Sequence, residues 1–224
     1  MKVKYFDLKN KRVFVSGGGS GIGATIVEHF CEQQSEVYFI DINIKASKQL
    51  IEKIKKKRFR VPKFIECNVL EIQKLQNLIK DIISKKGPIH CLINSAANDD
   101  RHSTEQVDEK YWENRMGINL KHYFFAAQSV VKGMKKIKSG SIVNLSSVSW
   151  VLGEGDKVIY ETAKSAVIGL TRSFAQEFGK FNIRTNSVIP GSIATERQIK
   201  NWLTPKYKKL ILDSQALKRQ LKPE

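Results

Sequence analysis

The chain of 224 residues predicts an α/β fold: a doubly wound parallel sheet of about six strands with helices on both faces. Three observations predict it. Short runs rich in Val, Ile and Phe alternate with longer helical patterns from one end to the other. The short runs are apolar nearly throughout, as strands covered on both faces are. A cluster of glycines, Gly17, Gly18, Gly19, Gly21 and Gly23, separates the first short run from the first helical one. No repeat, low-complexity linker or shift in composition divides the chain, so one domain spanning 1–224 is expected.

The expected strands are Arg12–Ser16, Glu36–Asp41, 63–68, 89–94, 141–147 and 183–189, each short and dense in strand-forming side chains. Helical periodicity covers 22–34, 45–58, 70–86, 109–138 and 157–180. The second of these ends in the basic run 53–60, where cations complement the negative end of the helix dipole. After Pro190 comes a polar stretch over 191–202, then a last helix over 206–217.

Composition narrows the function classes. Hydrophobic residues are 41% and charged residues 27%, the balance of a soluble globular protein. No apolar run approaches the roughly 18 residues that a membrane span needs, so no membrane partner is expected. The first ten residues lack the apolar core of a signal peptide. Cys31, Cys67 and Cys91 are odd in number and scattered, which reads as reduced thiols in the cytoplasm and gives no metal site. The net charge of +17 is carried mainly by lysines. Without a nucleic-acid-binding motif it reads as solvated helix faces.

The run from Ser16 to Gly23 follows a strand and opens a helix, the setting of a dinucleotide-phosphate loop. Glycines let backbone approach a pyrophosphate, and a helix N-terminus offers it free N–H groups. Gly17, Ser20, Gly21, Ile22 and Gly23 are therefore cofactor-binding candidates. Asp41 ends the second strand, eighteen residues past Gly23. A carboxylate there accepts hydrogen bonds from the ribose of NAD and repels the extra phosphate of NADP. NAD is the expected cofactor; nearby Lys45 leaves NADP disfavoured without excluding it.

Tyr160 and Lys164 stand four apart on a helix, so they share a face. A cation beside a phenol favours the phenolate, and the Ser147 hydroxyl at a strand end can hold a substrate oxygen beside it. That arrangement moves one proton on or off an alcohol or carbonyl oxygen.

Together these residues resemble the classical short-chain dehydrogenase/reductase family, over essentially the whole chain. The resemblance rests on the glycine loop, Asn68-Val69, the run Asn94-Ser95-Ala96-Ala97, Asn119, Ser147, Tyr160, Lys164, and Pro190-Gly191 with Thr195. It implies a Rossmann sheet and a catalytic set of Asn119, Ser147, Tyr160 and Lys164. In that set Lys164 also binds the nicotinamide ribose, and Asn119 holds a water linking Lys164 to solvent. It further implies cofactor contacts at Asn68, Val69, Asn94, Ala96, Pro190, Ile193 and Thr195. Asn68 stands where the family usually has Asp, and Ser95 where a second Asn is common. The chain ends at Glu224, where the family continues into one more helix and strand. An exposed sheet edge is therefore expected, and the family's usual homo-oligomer is put in doubt.

The loops over 98–102 and 148–156 should lie where ligands bind in this architecture. Asn98, His102, Ser147, Glu154 and Tyr160 are the substrate-contact candidates, since a sugar offers many hydroxyls to match. The alternative for 99–102 is a solvated turn held by salt bridges. These loops, with 195–198 and 202–205, resemble bacterial aldose 1-dehydrogenases of the family, those for D-xylose, L-fucose and L-arabinose. The resemblance implies a small-molecule substrate, an aldose oxidised at C1. Another alcohol or ketone, a 3-oxoacyl compound among them, is the alternative, as is an inactive chain.

Overall fold

The computed structural model describes residues 3–224. Six strands form one parallel sheet: β1 Arg12–Ser16, β2 Glu36–Asp41, β3 Lys63–Glu66, β4 Cys91–Asn94, β5 Gly140–Leu145 and β6 Ile183–Val188. Their order is β3-β2-β1-β4-β5-β6. The order reverses between β1 and β4, and in open sheets of this kind the ligand crevice lies outside the carboxyl ends of the strands at that switch point.

Period-two alternation along β1 assigns its side chains to two cores. Val13 and Val15 pack with Val27 and Cys31 of α1 (Gly21–Glu32) and with Leu50 and Ile54 of α2 (Ile44–Lys56). Phe14 faces the other way. It joins Leu75 and Ile79 of α3 (Ile72–Lys86) and the second large helical layer. The three cysteines are free. Burial pushes the Cys91 thiol up to about 12, so it is inert packing.

The helix expected over 109–138 is interrupted. It is built as α4 (Glu109–Met116), a π-helical turn Gly117–Lys121, and α5 (His122–Ile137). Gly117 lets the turn close on Leu70, whose Cδ2 would stand 2.5 Å from an added Cβ. Periodicity does not reveal one wide turn inside thirty helical residues, but the turn resets which side chains face inward. The short α6 (Ser149–Leu152) leads to α7 (Val158–Phe178), which packs on β5 and β6.

The stretch expected to be merely polar over 191–202 contains α8 (Glu196–Asn201), and α9 (Pro205–Ser214) follows it. The capping chemistry accounts for both helices. The Thr195 hydroxyl accepts from Gln198 N–H at 3.2 Å, and Thr204 from Tyr207 N–H at 3.2 Å, with Pro205 in the first turn. Ala194 N–H donates to Leu221 O at 2.9 Å, tying the tail back to the start of this segment. β6 pairs with β5 on one side and, among the described residues, with no strand on the other.

Candidate active site

The glycine loop lies under close backbone constraints. Gly17 has φ +68°, and a Cβ there would sit 2.6 Å from Ala96 Cα, so the loops after β1 and β4 touch backbone to backbone. Gly23 is tighter: its Cβ would fall 1.9 Å from Gly17 O. Gly23→Ala is expected to destabilise the fold by about 3 kcal/mol and to abolish cofactor binding. Thermal melts with and without cofactor check this. The first helical N–H to find a partner is Ala24, which donates to Ser20 O at 3.1 Å. The N–H groups of Gly21, Ile22 and Gly23 precede it and lack intrahelical acceptors, while the Ser20 side chain does not cap them. This is a donor set open to a pyrophosphate.

Asp41 is fixed at the rim of that loop. Its Oδ2 accepts from Gly19 N–H at 2.8 Å and its Oδ1 from Asn43 N–H at 2.8 Å. Each oxygen keeps a lone pair for a ribose hydroxyl. Thr195 approaches from the far side, its Cγ2 only 3.2 Å from where a Cβ of Gly21 would be. The segment after Pro190 therefore reaches over the loop. The close-approach glycines, free N–H groups and anchored carboxylate suit a dinucleotide.

The catalytic candidates converge at the ends of β5 and α7. Ser147 Oγ accepts from Ser149 N–H at 3.2 Å and lies 2.9 Å from Ser149 Oγ. It is also within hydrogen-bonding reach of the Tyr160 phenol. Lys164 is almost fully buried, with Nζ 5.6 Å from the centre of the Tyr160 ring. Its ammonium donates to Leu145 O at 2.7 Å and to Tyr123 Oη at 2.9 Å. Burial pushes Lys164 down to about 7, against the pull of the Asp99 carboxylate. Burial pushes Tyr160 up to about 12; the Ser147 hydrogen bond lowers it and Asp99 adds to the rise. With the ammonium turned to Tyr123 and Leu145, Tyr160 rests as a phenol at neutral pH.

A model of the family described as short chain dehydrogenase matches residues 11–205. The chain belongs to this family. "D-xylose 1-dehydrogenase" of Caulobacter vibrioides is 40% identical over 220 residues, 98% of this chain and 86% of that protein. "Probable galactose dehydrogenase" of Rhizobium meliloti is 40% identical over 215 residues, 96% of this chain and 84% of the other. Among solved structures, a "putative short-chain alcohol dehydrogenase" from Sinorhizobium meliloti 1021 superposes with a TM-score of 0.90 at 27% identity. It covers 97% of this chain and 86% of that one. As a short-chain dehydrogenase the protein is an oxidoreductase acting on CH–OH groups with a nicotinamide cofactor.

Several sequence-derived site residues of this short-chain dehydrogenase have partners within the protein. The Asn119 amide is engaged by the loop after β4: Oδ1 accepts from Asn98 N–H at 2.8 Å and Nδ2 donates to Asn98 O at 3.0 Å. Its side chain braces Asn98. Asn94 is fully buried and donates to Asn144 Oδ1 at 2.9 Å; Val69 lies in the core. Asn68 Oδ1 accepts from Leu70 N–H at 3.0 Å, shaping the turn after β3. Ala96, Pro190 and Ile193 line the loops that flank the crevice, with Pro190 O accepting from Val148 N–H at 3.0 Å.

The rim is knitted by its own charges. Arg197 pairs with Asp99 and Asp100, Gln198 Nε2 donates to Asp99 Oδ2 at 2.6 Å, and Arg115 pairs with Asp100 at 3.1 Å. Arg101 pairs with Asp156 at 3.1 Å and lies over the Trp202 ring. Glu154 pairs with the buried Lys157 and accepts from Tyr207 Oη at 3.2 Å. The His102 ring sits between Asp100 O, Tyr111 Oη and Ile159 N–H. The salt-bridged turn is what forms over 99–102. His102 and Glu154 hold loops together. Asp99 and Tyr123, absent from the sequence-derived set, are the groups that act on Tyr160 and Lys164. Tyr123 lies four residues past Asn119, and that spacing was the available signal.

Proposed function

We propose that this short-chain dehydrogenase oxidises an aldose at C1 to an aldonolactone with NAD, in the cytoplasm. The observation that carries the reading is 40% identity, over nearly the whole chain, to two proteins named as sugar dehydrogenases. NAD supplies the hydride acceptor. Gly21, Ile22 and Gly23 would hold its pyrophosphate, Asp41 the adenosine ribose, and Lys164 the nicotinamide ribose. Ser147 donates to the substrate C1 oxygen and keeps it beside Tyr160. Tyr160 takes the C1 hydroxyl proton. A phenol resting near 12 makes oxidation base-limited, so the oxidation rate should climb with pH from neutrality upwards.

The test follows NADH or NADPH formation from NAD or NADP over a panel of aldoses, and NADH or NADPH consumption over ketones and 3-oxoacyl compounds. Turnover of one or more aldoses, with gluconate-type lactone recovered as product, supports the reading; turnover confined to the carbonyl compounds sinks it. Exposed Val151 and Leu152, a few residues past Ser147, are what favours the second reading, a less polar alcohol or ketone. Asp41→Asn keeps the acceptor but removes the charge that repels a 2′-phosphate. We expect KM for NAD to rise about tenfold and NADP to gain relative to it. Steady-state kinetics with both cofactors reads this directly.

A further inference from the structure

We propose that Tyr123 is a positioning residue of the active site, a second phenol that fixes the Lys164 ammonium. The proposal rests on Ser147, Tyr160 and Lys164 forming the reacting centre. Tyr123 Oη lies 2.9 Å from Lys164 Nζ and gives its own proton to Leu145 O at 3.0 Å. Lys164 donates to that same carbonyl at 2.7 Å. The three atoms close a triangle that joins α5, the end of β5 and α7. Those elements carry Tyr123, the approach to Ser147, and the Tyr160–Lys164 pair.

The triangle sets a direction. An ammonium has three N–H donors. Two are committed to Tyr123 and Leu145, which leaves one for the open side of the site, where the Tyr160 ring lies. The π-turn makes this possible. Asn119, within the turn, faces the loop after β4, and Tyr123, one turn on, faces Lys164. Tyr123 is completely buried, and burial drives its phenol well above the ordinary value, so it stays a neutral acceptor for the ammonium.

The groups facing Lys164 come from three elements. Asp99, in the loop after β4, favours the ammonium. His122 on α5 is buried beside Ser16 and held neutral, its pKa down at about 3. Tyr160 and Tyr123 present phenols from α7 and α5. Removing the Tyr123 oxygen leaves the ammonium one acceptor fewer in a desolvated place, so it loses its proton more easily.

The experiment is Tyr123→Phe in the full chain, which keeps the ring and deletes one atom. Lysines labelled with 13C at the ε position are titrated by NMR without cofactor or substrate. The Lys164 midpoint is expected to fall by about half a pH unit or more. With whichever alcohol the protein turns over, kcat should drop about tenfold. KM should stay within about twofold. An unmoved lysine titration overturns the proposal even if the melting temperature falls. The titration needs no substrate, so a failed aldose assignment leaves this test intact.

Discussion

Tyr160→Phe is expected to lower turnover by about 10²–10⁴-fold while the protein still binds NAD, because it removes only the atom that carries the proton. The ring stays, so the packing at the start of α7 is kept. The loss is confined to proton transfer: Ser147 cannot replace the phenol, since its oxygen is already oriented by Ser149 and serves the substrate. A direction in pH follows. Burial and Asp99 hold the phenol up near 12 despite Ser147. At neutral pH the tyrosine is therefore armed as a proton donor, which favours carbonyl reduction, and raising pH converts it to the acceptor that oxidation needs. In the wild-type protein oxidation should gain and reduction should lose as pH rises from about 7 to 10. In Tyr160→Phe both residual rates should lose that dependence. Turnover of Tyr160→Phe within tenfold of wild type would dismiss the assignment of Tyr160 as the proton carrier.

The sheet and the nucleotide half were legible in the sequence because their causes are local. A strand buried on both faces must be apolar, and a loop where an added Cβ would fall 2.6 Å from another backbone must be glycine. Tyr160 and Lys164 were legible from spacing, since i and i+4 on a helix meet wherever the helix lies. What was not legible is set by partners distant in sequence. Lys164 turns to Tyr123, and Asn119 to Asn98, only once α5 and α7 are packed. Whether Tyr123 faces Lys164 also depends on one wide turn that hydrophobic periodicity does not register. The rim shows the same limit. Its composition announced polarity, but not that Asp99 would meet Arg197 and Gln198 from the far end of the chain. Polar groups paired with each other keep less capacity for a sugar, and composition cannot distinguish the two states.

Lys164→Met is expected to abolish oxidation and, at the same time, to raise the melting temperature. The ammonium is among the largest fully buried side chains of the protein, and it has been pushed from 10.5 down to about 7 by burial. The linkage sign is set by that depression. Between pH 7 and 10.5 the unfolded chain holds a proton that the native chain has released, so stability rises with pH across this window. Below about 7 the burial penalty is fully present. Methionine fills the volume without charge. It orphans no acceptor, because Leu145 O keeps the Tyr123 hydroxyl at 3.0 Å and Tyr123 keeps Leu145. The gain at pH 6 should be about 2 kcal/mol, after the lost lysine hydrogen bonds are set against the removed penalty. For a chain of this size that is about 4–8 °C in Tm. The gain should shrink as pH approaches 10. A buried charge kept at such a cost is what a reacting centre requires. If Lys164→Met instead melts lower than wild type at pH 6, the ammonium contributes net stability, and the reading of Lys164 as a strained functional charge fails.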